Sequence, residues 1–177
     1  MLVADGRMYL ATGNGIYLSS DRGATWTASN AGLTNLVLRC IAKRGGVLFA
    51  GGFGGRIHVS TDSGATWTLS STGIPTTLGV QELYVDDTRV FAGTWNGAFV
   101  SVDDGASWTS VPTGPAVPNV GVFFRDGDNL FIGATLDLAR STDNGATWSS
   151  ASVGMVNRAV YDIVRKGDLL FAATFGH

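Results

Sequence analysis

One eight-residue pattern, written four times at near-constant spacing, decides most of what this chain can become. Ser-x-Asp-x-Gly-Ala-Thr/Ser-Trp stands at residues 19–26, 60–67, 101–108 and 141–148, with successive starts 41, 41 and 40 residues apart. Such a period marks a repeat architecture, in which each unit buries its apolar face against its neighbours. A second marker runs in step. Tyr9, Phe49, Phe91, Phe131 and Phe171 recur inside short apolar–aromatic–small–small segments. The fifth of these is not followed by a copy of the pattern.

Each unit reads as four short strands. In the third, 80–85 is strand one and 89–93 is strand two. Strand three is 98–101, and 108–110 is strand four. The runs are β-branched or aromatic, and Gly, Asp and Asn bound them, which is strand-and-turn chemistry. No segment sustains a 3.6-residue apolar period with helix caps. Four strands in about 41 residues is the spacing of a β-propeller blade. The expected fold is therefore all-β, with units at 1–30, 31–71, 72–111, 112–151 and a half unit at 152–177. That makes about four and a half blades and 18 strands.

Composition agrees with many tight turns between thin, buried strands. The chain has 25 glycines in 177 residues, about twice the usual share of roughly 7%. Charged residues make up 15%, below the usual 25% or so. Net charge is −2, which gives no general attraction for nucleic acid or an anionic membrane. Cys40 stands alone, so no intrachain disulfide is expected. Two histidines, His58 and His177, do not make a multi-histidine zinc site. No metal or cofactor is expected. No apolar run approaches the length of a membrane-spanning helix, and the first residues have neither the basic nor the apolar region of a signal peptide.

The repeated box has a mechanical explanation. Its Asp (Asp21, Asp62, Asp103, Asp143) accepts backbone N–H bonds within the turn that follows. Its Gly (Gly23, Gly64, Gly105, Gly145) supplies a positive φ without steric cost. Its Ser (Ser19, Ser60, Ser101, Ser141) adds turn bonds. Its Trp (Trp26, Trp67, Trp108, Trp148) buries a flat surface between neighbouring units.

These boxes resemble the Asp-box, or BNR, repeat of β-propeller proteins, a group that includes sialidases, sortilin-type receptors, xyloglucan-active glycoside hydrolases and photosystem II assembly-factor propellers. The resemblance covers nearly the whole chain. It implies the blade and says little about activity, since a shared fold does not carry a shared function. It places the boxes on the rim, away from the ligand face, and so makes the sixteen box residues structural. It also implies an extracellular or periplasmic setting. Closed propellers have four to eight whole blades. Four and a half blades therefore imply a part of a longer propeller or a ring completed by self-association.

In an up-and-down blade the one–two turn shares a face with the box. The two–three turn and the inter-blade linker lie on the opposite face, where the resemblance puts binding and catalysis. The two–three position carries Gly13, Phe53, Trp95, Thr135 and Phe175. Phe53 and Trp95 stand on consecutive blades and form an aromatic pair suited to a sugar ring or an apolar partner side chain. Asp137 is an acidic candidate in the fourth two–three turn. On the innermost strands, Glu82 aligns with Asp162, and Cys40 and Gly121 fill the equivalent places. Two carboxylates flanking a cleft are the minimum for glycoside hydrolysis, which makes Glu82 and Asp162 the candidate catalytic pair.

The sialidase pattern has an Arg-Ile-Pro segment, an arginine cluster and a Tyr–Glu pair. Gly73-Ile74-Pro75 lacks the arginine, and Tyr84 with Glu82 is all that could serve as the pair. Arg7, Arg44, Arg89, Arg125 and Arg165 fall at the one–two turns, on the wrong face, among Asp5, Asp86, Asp87, Asp126, Asp128 and Asp168. No nucleophile elbow, Walker loop or dinucleotide fingerprint is present. The sequence thus reads as a non-catalytic binding or assembly module for a carbohydrate or protein ligand. The alternative is a glycoside hydrolase fragment.

Overall fold

The computed structural model describes residues 1–112 and 117–174. Phe175, His177 and most of the linker between the third and fourth units lie outside the described residues. Blade one contains β1 (Leu2–Ala4), β2 (Arg7–Thr12), β3 (Gly15–Ser19) and β4 (Thr27–Ala28). Blade two has β5 (Leu38–Arg44), β6 (Val47–Gly52), β7 (Ile57–Ser60) and β8 (Thr68–Leu69). Blade three has β9 (Val80–Val85), β10 (Val90–Thr94), β11 (Gly97–Ser101) and β12 (Thr109–Ser110). Blade four has β13 (Val122–Asp126), β14 (Asn129–Gly133), β15 (Leu138–Ser141) and β16 (Ser149–Ser150). A fifth sheet pairs β17 (Val160–Lys166) with β18 (Leu169–Thr174).

Every sheet is antiparallel and takes its strands in chain order, as a propeller blade does. Strand bounds in the third unit fall within a residue of those expected from its turn residues. The fold is a β-propeller of four complete blades and a two-stranded sheet.

The core is divided among the blade interfaces. Tyr9 and Ile16 of blade one meet Leu38, Leu48, Ala50 and Trp67 of blade two. Blade two's Phe49 and Ile57 meet Val80, Leu83, Phe99 and Trp108 of blade three. Phe91 and Ala98 meet Phe123, Leu130 and Ile132 in the next interface. Val122 and Phe131 meet Val160 and Ile163 in the last. This follows from the strand pattern, because each thin sheet is apolar on both faces and needs a neighbour on each side.

The box turns are built alike in all four copies. In the second, Asp62 Oδ1 accepts from the Thr66 N–H at 2.9 Å, and Oδ2 accepts from the Thr66 hydroxyl at 2.5 Å. The Ser60 hydroxyl donates to Asp62 Oδ1 at 2.7 Å and accepts the Gly64 N–H at 2.9 Å. The box also clamps the preceding blade. Trp67 N–H donates to the Ala31 carbonyl at 2.8 Å, and Trp108 N–H donates to that of Thr72 at 2.9 Å. The Trp67 indole donates to Ser29 Oγ at 3.3 Å, and the Trp108 indole to the Ser70 carbonyl at 2.9 Å. Trp26 and Trp148 are only half-buried and bond their own Gly23 and Gly145 carbonyls.

Candidate functional site

Hydrogen bonds sort the loops onto two faces. On one, the one–two turn of a blade meets the box of the next. Arg44 reaches Asp104, and Arg89 donates to Asn144 Oδ1 at 2.7 Å. Arg125 lies 3.3 Å from Asp86, Arg165 is 2.5 Å from Asp126, and Lys43 is 2.8 Å from Asp5. These arginines sit among carboxylates and amides that link blade to blade. They do not form an open ring of positive charge. Arg89 also holds Asp86 with Nη2 at 2.6 Å. Burial works against the Asp86 charge, yet the bonds from Arg89 and the Thr88 N–H keep its carboxyl below the ordinary range.

On the other face, two–three turns bond to linkers. Trp95 N–H donates to the Gly79 carbonyl at 3.2 Å, Phe53 N–H to that of Val37 at 3.1 Å, and Thr135 N–H to that of Pro118 at 3.2 Å. Phe53 lies in a single 3-10 turn, Phe53–Gly55. Its ring meets Trp95 edge to face, with centroids 5.3 Å apart at 74°. Trp95 is 36% exposed. Its ring covers Gly79 so closely that a Cβ there would lie 2.7 Å from Cε2. The aromatic pair expected from the turn positions is thus assembled across two blades, with Trp95 held flat by a glycine.

Beside this pair, the innermost strands enclose a cavity of about 350 Å³, lined by Arg39, Gln81, Asn119, Gly121, Thr135 and Tyr161 together with Val160. Arg39 is the residue that strand patterning missed. Its guanidinium lies 4.8 Å from the Phe53 ring centre, and its Nη1 donates to Gln81 Oε1. Alternation along a regular strand cannot show this, because Arg39, Gln81 and Tyr161 each sit at a register shift.

The carboxylate candidates lie apart from the cavity lining. Glu82 pairs with Gly93, and Asp162 with Ala173. The ladder puts Val122 opposite Gly133, so Val122 rather than Gly121 is the fourth equivalent of Glu82. Glu82 is half-buried, and its burial pushes its carboxyl up to about 7. Burial likewise pushes the Cys40 thiol up, with the Glu82 charge adding to the effect. Asp162 is exposed and accepts the Ile163 N–H at 2.9 Å. Asp137 is turned into its own blade. Oδ1 accepts from the Leu138 N–H at 3.0 Å, the Ser150 hydroxyl at 2.9 Å, and the Ser152 hydroxyl. Its carboxylate ties the fourth two–three turn to β16 and the linker after it. Among the described residues no group of three or more His, Cys, Asp or Glu could hold a metal ion. No helix among them is long and apolar enough to cross a membrane.

No family model and no curated protein matches this sequence. Solved structures do. The extracellular domain of the one-component system BT4673 from B. thetaiotaomicron superposes with a TM-score of 0.78 at 17% identity, over 98% of this chain and 24% of that one. An ancestral GH74 enzyme gives 0.68 at 20% identity, over 82% of this chain and 23% of that one. YCF48 bound to D1 peptide gives 0.62 at 19% identity, over 97% of this chain and 58% of that one. The chain spans about a quarter of the first two and somewhat over half of the third. Identities this low carry the architecture alone, and by that measure the chain is a β-propeller.

Proposed function

We propose that this chain is an Asp-box propeller segment acting as a non-catalytic binding module, with a carbohydrate ligand seated on the face of the two–three turns and linkers. The Phe53–Trp95 pair beside the channel cavity carries the reading. A flat, partly exposed indole next to an aromatic edge offers a platform for the apolar face of a sugar ring. The neighbouring amides and hydroxyls of Gln81, Asn119 and Thr135 offer polar contacts that orient a ligand. The box residues serve the frame. Their hydroxyls and carboxylates are already satisfied within the turn.

Glycan-array screening followed by titration calorimetry tests this. Trp95→Ala is expected to weaken binding of the selected glycan at least tenfold while the thermal unfolding midpoint moves by only a few degrees. An unchanged Kd removes the site assignment.

One observation favours a hydrolytic alternative. A half-buried Glu82 carboxyl near 7 has the protonation balance of a general acid. Its partner would be Asp162, two blades on. If the chain hydrolyses a polysaccharide, Glu82→Gln is expected to lower the rate at least a hundredfold. Hydrolysis unaltered by that change and by Asp162→Asn sinks the enzyme reading.

A further inference from the structure

Three innermost strands share one irregularity. In β5, β9 and β17 the pairing register shifts around a single residue, Arg39, Gln81 and Tyr161 respectively. In blade four Gly121 stands at the corresponding place, just ahead of Val122. A bulge of this kind leaves one residue out of the ladder and re-aims its side chain. All four positions border the same cavity, from three successive blades and the two-stranded sheet that follows them. We propose that these bulge residues select the ligand of the channel mouth, and that Arg39 makes it select a sugar bearing a carboxylate.

The charge pattern supports this choice. Among the described residues that line the cavity, Arg39 is the one cation and none is an Asp or Glu. No carboxylate among the described residues pairs with Arg39; the same holds for Arg7, Arg22, Arg56, Arg140, Arg158 and Lys166, but none of these lines the cavity. The Arg39 fork is pre-oriented, its face on Phe53 and one end on Gln81. A stacked guanidinium with its edge toward a cavity suits a planar, singly charged carboxylate. Glu82 and Asp162 follow the bulges directly but do not line the cavity, and Asp162 is engaged by the Ile163 N–H. About 350 Å³ lies at the small end of ligand sites and accommodates roughly one sugar residue. The Phe53–Trp95 pair is then placed to carry the next sugar.

The proposal rests on the carbohydrate-binding reading above, and its test separates the two. Short galacturonate, glucuronate and mannuronate oligomers are titrated against the same oligomers with their carboxyls methyl-esterified. At least one acid is expected to bind tenfold or more tighter than its ester, with the ratio shrinking as salt is raised. Arg39→Gln is expected to bring that ratio to about one, and Arg39→Lys to keep part of it. Circular dichroism of both variants checks that they remain folded. Equal binding of acid and ester overturns the carboxylate assignment but leaves the binding reading standing. A preference that survives Arg39→Gln removes Arg39 from the role. Failure of every oligosaccharide, neutral or acidic, overturns both readings. Arg39-dependent binding of a glutamate-terminated peptide without any uronate overturns the sugar as ligand.

Discussion

Gly73→Val is expected to unfold the protein, or to leave it with only a small part of its stability. Gly73 sits at φ +100, and a Cβ there would lie 2.0 Å from the Trp108 carbonyl oxygen. A β-branched side chain in that conformation costs about 1–2 kcal/mol before any collision is counted. The collision then drives Trp108 from its place. Trp108 is buried in the interface of blades two and three, and its N–H bonds Thr72 beside the glycine. Losing a buried Trp from a core costs about 3–5 kcal/mol. The sum approaches the whole stability of an ordinary domain, about 5–15 kcal/mol. Gly154 is the internal control. It has φ +87, but nothing lies within 4 Å of its Cβ position, so Gly154→Val is expected to cost only the backbone strain of about 1–2 kcal/mol. Urea denaturation of both variants decides it. Equal losses at the two glycines would show that the box Trp is not the clamp between blades.

Acid is expected to lower the stability of the chain between pH about 4 and 2. In every box the carboxyl (Asp21, Asp62, Asp103, Asp143) is drawn from 3.8 down to about 2. The hydroxyl and backbone N–H of the Thr or Ser four residues on contribute most, followed by the box Ser hydroxyl. A carboxyl lowered in the folded state binds fewer protons there than in the unfolded chain, so stability falls as pH drops through this window. Four such groups act in the same direction. Glu82 acts oppositely. Its carboxyl, raised from 4.5 to about 7 by burial, favours the folded state when protonated, so its contribution is lost as pH rises from about 4.5 to 7. Buried His58 opposes Glu82, because burial lowers its ring below the ordinary value and its contribution is lost as pH falls through that range. Urea midpoints measured from pH 8 to pH 2 should show a falling acid limb below pH about 4, with a shallower course above it where His58 and Glu82 oppose each other. Asp62→Asn should make the acid limb shallower, and Glu82→Gln should leave stability rising with pH above that limb. An acid limb no different in Asp62→Asn would mean that the box carboxyls do not govern it.

The pH profile also bears on which surface is free for a ligand. The box carboxyls and Arg44, Arg89, Arg125 and Arg165 are engaged in turns and in links between blades. The opposite face keeps the aromatic pair and Arg39, the one cation lining its cavity among the described residues.

The amino-acid sequence by itself determined the blade. Its period set the number of units, its turn residues set the strand bounds of the third unit to within a residue, and the bonds inside the box turn join residues at most four apart. The same local logic brought Phe53 and Trp95 to one face on neighbouring blades. Tertiary structure decided the rest, because the deciding contacts join residues from 13 to 42 positions apart, across turns and between blades. Arg39 becomes a candidate only when β5 and β9 are side by side, so that Gln81 and Phe53 hold its guanidinium. Asp137 looks like a ligand group in its turn until Ser150 and Ser152 fold against it. The bulges that place Arg39, Gln81 and Tyr161 at the cavity leave no mark in a period-two pattern. One extra residue in a ladder shifts the facing of every residue on one side of it, and only the pairing partner shows where that residue lies.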